Sequence, residues 1–181
     1  MNQDILLVTK ALEFATRAHT DQRRKGEREE PYINHLSEVA WLIAQATEGD
    51  DATLIAAGLL HDTIEDQDIT HETLAREFGQ DVANLVREVT DDKSLEKAER
   101  KRLQVEHAPH KSDRAKVLKI ADKTANLHSI LNSPPSGWDA VRRRAYFEWA
   151  ADVVAGCRGV NAKIEAAFDA AFAQFARQEG A

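Results

Sequence analysis

Cysteine is almost absent from this 181-residue chain, where Cys157 stands alone. A single thiol forms neither an internal disulfide nor a cysteine-rich zinc site, so a reducing cytoplasm is the expected compartment and Cys157 reads as a small core residue. Long apolar runs are also missing, and nothing approaches the ~18 residues that a membrane span requires. No stretch alternates polar with apolar residues long enough for a half-buried strand. Internal repeats and low-complexity tracts are absent too. Positive charge is in deficit, with 24 Lys and Arg against 31 Asp and Glu and a formal net charge of −7. A protein that coats nucleic acid by neutralising phosphates needs the opposite balance. Neither a membrane nor a nucleic acid is therefore an expected partner.

What remains is helical periodicity within an ordinary globular composition, 43% hydrophobic and 30% charged. Met1 to His19 lacks the basic-then-apolar layout of a secretory signal, and spaces Ile5, Val8, Leu12 and Ala15 like one helix face. Further helices are expected over residues 35–46, 51–65, 71–78, 81–90, 94–107, 114–131, 139–154 and 162–177. Asp50 or Asp51 can cap the third helix and Thr70 the fourth, which Gly79 closes. Val117, Leu118, Ile120, Ala121, Ala125 and Leu127 mark a core helix, and Ile164, Phe168, Phe172 and Phe175 form a packing stripe. Asn132 to Gly137 concentrates turn formers and separates the core from a C-terminal helix pair. The expectation is one all-α domain over residues 1–181, with a working core near 14–160 and a packing helix near 161–178.

The residues that carry chemistry gather at His61-Asp62-Thr63-Ile64-Glu65-Asp66. They end an apolar helix, Ile55-Ala56-Ala57-Gly58-Leu59-Leu60, where an unpaired charge is unfavourable. A divalent cation compensates it, because neutral imidazole and carboxylate are both suitable ligands. A helix continuing through Glu65 and Asp66 places each acid about one turn beyond a ligand. His35 and Asp122, each in apolar-periodic surroundings, are the best placed further ligands. Taken alone, either one reads as a hydrogen-bonded core residue. Four ionisable groups in six residues have no such packing rationale. Two His and two Asp suit octahedral Mn²⁺ or Fe²⁺ with open positions better than closed structural zinc. Glu65 and Asp66 remain free to handle protons during hydrolysis. His19, His71, His107, His110 and His128 have no such company and read as surface or packing residues. Thr90-Asp91-Asp92-Lys93 reads as a helix terminus.

Basic residues cluster at Arg23-Arg24-Lys25, Arg100-Lys101-Arg102 and Arg142-Arg143-Arg144. Any one run alone reads as a solvated helix face, while the three together can border one cleft for a small polyanion.

Several ordered segments resemble the HD-domain phosphohydrolases, and within them the hydrolase portion of the RelA/SpoT alarmone enzymes, most closely the small MESH1-like hydrolases. They are Arg23-Arg24-Lys25, Pro31-Tyr32-Ile33-Asn34-His35, Leu59 to Asp66, Val89 to Lys93, Glu99 to Gln104, Ala121-Asp122-Lys123 with Asn126, and Tyr146 to Ala150. The likeness spans roughly Phe14 to Val160. It implies an all-α HD-domain bundle of about eight to ten helices, with one Mn²⁺, or Fe²⁺, held by His35, His61, Asp62 and Asp122. It implies Glu65 and Asp66 as catalytic acids, and Arg24, Lys25, Asn126, Arg142 and Tyr146 as substrate contacts. The implied reaction removes the 3′-pyrophosphate of guanosine tetra- or pentaphosphate, an alarmone, to give GDP or GTP. The alternatives are an HD-type phosphatase of another nucleotide such as NADPH, or a sensor that binds alarmone without cutting it. Leu36 departs from the family's usual proline after the first histidine, and Thr124 and His128 replace commoner apolar and arginine residues. The synthetase and regulatory regions of longer relatives have no counterpart segment, so alarmone synthesis is not expected.

Overall fold

The computed structural model describes residues 2–179. Among them are ten α-helices, one 3-10 turn and no β-strand beyond two isolated bridges. The helices are α1 (Gln3–Ala18), α2 (Ile33–Ala46), α3 (Ala52–Leu60), α4 (Thr63–Asp66), α5 (His71–Phe78), α6 (Gln80–Val89), α7 (Lys97–His107), α8 (Asp113–Asn132), α9 (Ala140–Ala155) and α10 (Ala162–Glu179). Side-chain caps set many of the starts: Asn2, Asp51, Thr70, Ser112 and Asp139 each accept a backbone N–H of the first turn. Each such cap stabilises its helix by about 1 kcal/mol. Asp51 also accepts from Arg114 Nε at 2.8 Å, tying the start of α3 to that of α8.

Helix α8 is the axis of the molecule, buried even at Lys119, Asp122, Lys123 and Thr124. Helices α2, α3, α6, α9 and α10 pack around it. The six apolar residues expected to form its core face are all buried. The C-terminal stripe behaves as expected, with Ile164, Phe168 and Phe175 buried, Phe172 packed against the core, and the Phe147 and Phe175 rings stacked 3.9 Å apart. Cys157 is a buried free thiol.

Three expectations need correction. In α1 the helix is where the sequence puts it, but its face is rotated. Ala11 and Ala15 are buried and Leu7, Val8 and Phe14 pack on the core, whereas Ile5 is 60% and Leu12 40% exposed. Alanines permit the close contact of α1 with α3 that larger side chains would hold apart. The charged helix begins at Lys97, not Ser94, because Asp92 turns the chain by accepting from the backbone N–H of Ser94. A 3-10 turn, Ala108–His110, follows that helix.

The third correction matters most for function. The expected helix over residues 51–65 breaks at His61-Asp62 into α3 and α4. Two side chains take the carbonyls that the broken ladder releases. The Thr63 hydroxyl donates to Leu60 O at 2.6 Å, and His61 Nδ1 lies 2.8 Å from Gly58 O. Gly58 itself lets α2 approach, since a Cβ there would lie 2.7 Å from Ile43 Cδ1. The departures from the family pattern are absorbed without disturbance. Leu36 is fully buried in α2, Thr124 bonds back to Ile120 O at 2.8 Å, and His128 Nδ1 meets Glu38 Oε1 at 2.7 Å.

Candidate metal centre

His35 from α2, His61 and Asp62 from the α3–α4 break, and Asp122 from the middle of α8 meet at one point. His61 Nε2 lies 3.1 Å from Asp62 Oδ2 and 3.7 Å from Asp122 Oδ1, and His35 Nε2 lies 3.4 Å from the same Asp122 oxygen and 3.8 Å from Asp62 Oδ2. Ligand atoms of His35, His61 and Asp62 lie within 4.8 Å of one another.

The chemistry of this set calls for a cation. His61 uses Nδ1 as donor to the Gly58 carbonyl, which leaves the buried Nε2 without a hydrogen-bond partner, facing two carboxylates. Burial disfavours a charged His61, but Asp62 and Asp122 outweigh it and push the imidazole up to about 10. A proton there takes the place that a divalent ion would fill. His35, where burial dominates, is held below the ordinary histidine value and so stays a neutral ligand. Against the burial that would raise them, Asp62 is drawn down by His61, and Asp122 by Lys123, so both are carboxylates. The residues present fit a divalent metal, and separations of about 3 to 4 Å are those of donors sharing one ion at ~2.0–2.2 Å.

Outer contacts orient these side chains. Tyr32 OH donates to Asp62 Oδ2 at 2.6 Å, its phenol kept protonated by burial and by Asp62. Asn126 Nδ2 donates to Asp122 Oδ1 at 2.7 Å, and Arg24 Nη2 donates to Asn126 Oδ1 at 2.8 Å, linking the centre to a guanidinium. Lys123 Nζ donates to Asp122 Oδ2 at 3.0 Å.

The two acids lie beside this centre although the helix is broken, because Asp66 N–H still bonds to Asp62 O at 2.9 Å across one turn. Burial, then Asp62 and Asp91, push the Glu65 carboxyl above the usual carboxylate range. Arg100 Nη1 lies 3.5 Å from its Oε1, and Asp91 N–H donates weakly to Oε2 at 3.4 Å. Asp66 accepts from Gln22 Nε2 at 2.8 Å and from Lys93 Nζ. Thr90 to Lys93 therefore does more than end α6, since it supplies a partner to each acid. His19 is likewise part of the setting, buried, stacked on Tyr32 with ring centres 5.2 Å apart and bonded to Gln22.

Asp66 opens onto a cavity of about 470 Å³. All five expected substrate contacts, Arg24, Lys25, Asn126, Arg142 and Tyr146, line it, together with Arg23, Lys97, Lys101 and Trp138. The three basic runs do border one cleft, the first with all of its members and the others through Lys101 and Arg142. Arg102 turns away to Glu99 and Glu106, and Arg100 turns to Glu65. Arg142 lies 4.6 Å over the Trp138 ring, and Lys101 4.2 Å over Trp149. Burial and the neighbours Lys97, Lys123 and Arg142 depress Lys101, the mark of a cation crowded by cations and short of an anion. Sequence reasoning left Lys93 and Lys97 out of the site and placed Lys101 only within a basic run able to border the cleft. Their spacing of four was the available signal, because it puts Lys97 and Lys101 on one face of α7 with Lys93 a turn ahead.

Residues 11–150 match the family described as HD domain. The chain belongs to the HD-domain family. Its HD-domain relatives include proteins named guanosine-3′,5′-bis(diphosphate) 3′-pyrophosphohydrolase MESH1. That of Xenopus tropicalis is 47% identical over 172 residues, 95% of this chain and 96% of the relative. That of Homo sapiens is 46% identical over 174 residues, 96% of this chain and 97% of the relative. A solved HD-domain structure described as "A metazoan ortholog of SpoT hydrolyzes ppGpp and plays a role in starvation responses" superposes with a TM-score of 0.88. It is 46% identical and covers 93% of this chain and 94% of that one.

Proposed function

We propose that this HD-domain protein is a metal-dependent hydrolase that removes the 3′-pyrophosphate from guanosine tetra- or pentaphosphate, giving GDP or GTP and pyrophosphate. The observation that carries the reading is a cation-lined cavity that reaches Asp66, one of two acids beside a buried His/Asp cluster. It is supported by near full-length likeness to proteins that bear this activity in their names.

In this reading His35, His61, Asp62 and Asp122 hold Mn²⁺, with Fe²⁺ as the alternative ion. When bound, the ion supplies Lewis acidity at the reacting phosphoryl group and lowers the pKa of water. Glu65 is the general base, because its raised basicity brings it toward the working pH while Arg100 keeps it placed. It accepts a proton from the water that attacks the phosphorus on the ribose 3′ oxygen; the bond from phosphorus to that oxygen breaks, pyrophosphate departs, and the 3′ oxygen takes a proton from solvent to become the hydroxyl of the product. Asp66, fixed by Gln22 and Lys93, orients that water. Arg24, Lys25, Lys97, Lys101 and Arg142 neutralise the two diphosphates, and Tyr146, kept a phenol by burial, donates into the same pocket. No helix among the described residues is long and apolar enough to cross a membrane. With a lone buried thiol, the cytoplasm is the proposed site of action.

Purified protein incubated with guanosine tetraphosphate and Mn²⁺ is expected to release pyrophosphate and GDP, and to stop with chelator. A nucleotide panel that includes NADPH fixes the substrate class. Protein with Mn²⁺ bound that turns over no alarmone overturns the proposal.

A further inference from the structure

Asp122 is engaged at both oxygens, and the two engagements differ in kind. Oδ1 accepts from Asn126 at 2.7 Å and faces His35 Nε2 at 3.4 Å and His61 Nε2 at 3.7 Å. Oδ2 accepts from Lys123 Nζ at 3.0 Å. Adjacent residues on a helix point well apart, so Lys123 reaches its neighbour's carboxylate only by folding its stem back. It does so in full burial, at 3% exposure, with the ammonium 4.5 Å from the centre of the Trp149 ring. The ring is itself pinned, as Trp149 Nε1 donates to Lys101 O at 3.1 Å. Carboxylate and π face together compensate a charge that would otherwise be excluded from such a place.

A carboxylate with both oxygens free can close on a cation with both, whereas one oxygen locked in a charge-assisted hydrogen bond is withdrawn from coordination. We propose that Lys123 is a positioning residue that confines Asp122 to a single ligating oxygen and so reserves a coordination position for water or substrate. The inference rests on the Mn²⁺ centre proposed above. Four protein donors, one atom each, leave about two positions on a six-coordinate ion. Without the ammonium, Asp122 is free to chelate and one of those positions is lost. Asn126 does not replace Lys123, since its amide is on the other oxygen.

The test is Mn²⁺ titration of metal-free protein, read as affinity by electron paramagnetic resonance and as exchangeable waters by water-proton relaxation. Turnover is not needed for either readout. Wild type is expected to show about two exchangeable waters on the bound ion. Lys123→Met is expected to lose one of them while binding Mn²⁺ severalfold more tightly, and Lys123→Arg, which keeps a charged donor, to restore the wild-type hydration. Steady-state kinetics is expected to follow, with kcat reduced in Lys123→Met and KM little changed. Wild-type hydration in Lys123→Met overturns the inference, as does weaker Mn²⁺ binding at unchanged hydration, which marks simple charge support. Should Lys123→Met fail to fold by circular dichroism, the wild-type count decides alone, and a single exchangeable water overturns the inference. A wild type that binds no Mn²⁺ removes the metal centre itself, an outcome distinct from all of these.

Discussion

The Tyr32 hydroxyl donates to Asp62 Oδ2 at 2.6 Å, and that same oxygen lies 3.1 Å from His61 Nε2. One phenol thus fixes the direction of a carboxylate in the His/Asp cluster, while its ring lies 5.5 Å below the Arg24 guanidinium. Tyr32→Phe keeps the ring and deletes only the donor. Loss of such an outer partner typically reduces metal affinity or turnover about 10- to 100-fold. A Mn²⁺ titration alongside kcat checks this, and a variant indistinguishable from wild type in both would remove Tyr32 from the machinery.

The two halves of the site are separable by mutation. Asp62→Ala is expected to abolish tight metal binding and, with it, turnover. Glu65→Gln is expected to slow kcat about 10²- to 10⁴-fold while metal binding stays within a few-fold of wild type. Equal metal loss in both variants contradicts the division between ligand and base.

The pH dependence follows from the environment of Glu65. Burial and the carboxylates of Asp62 and Asp91 raise its pKa, so the ionised, proton-accepting form is lost as pH falls through a value above the ordinary ~4.3 of glutamate. The acid limb of kcat/KM at saturating Mn²⁺ is expected there. Arg100, 3.5 Å from Glu65 Oε1, favours the ionised form, so Arg100→Gln should move the limb further up. A limb that Arg100→Gln leaves in place, or moves down, sinks the assignment.

Gly26 offers a test at a distance from the reacting groups. A Cβ there would lie 2.4 Å from Ser133 O and 2.6 Å from Ser133 Oγ, with little room for relief on the backbone side. Gly26→Ala must displace the segment that carries Arg24 and Lys25. A severalfold higher KM with unchanged Mn²⁺ affinity is the expected result, read from substrate saturation curves.

Lys101→Ala removes a cavity-lining cation that has cationic neighbours. A charge-assisted hydrogen bond contributes about 1.5–3 kcal/mol, so KM should rise about 10- to 100-fold, with a shallower dependence on salt. An unchanged KM would place Lys101 outside the substrate contacts.

Much of this was legible in the sequence, and the misses have physical causes. Helical periodicity located the core of α8 and the stripe of α10, because residues buried against several neighbours must be apolar on a broad face. In α1 the larger residues Ile5 and Leu12 suggested the wrong face, since contact with α3 is made through the small Ala11 and Ala15. The helix break at His61-Asp62 carried no glycine or proline to announce it, being sustained by side chains that accept the role of chain partners. His35, His61, Asp62 and Asp122 converge as the ligand chemistry of their residue types suggested. Lys93 and Lys97 escaped notice because a charged face turned toward a polar cavity has the same pattern as one turned toward solvent.

Helix α7 has no buried residue at all, although it supplies Lys97, Lys101 and Arg100 to the site. Helices α2 and α8, which carry His35 and Asp122, lie instead within the core. Affinity for the nucleotide and durability of the scaffold are thereby placed on different parts of the chain. Substitutions along α7 can retune which phosphorylated compound is accepted while the melting behaviour of the protein stays nearly constant, so selectivity here is open to evolutionary drift that the interior would not tolerate.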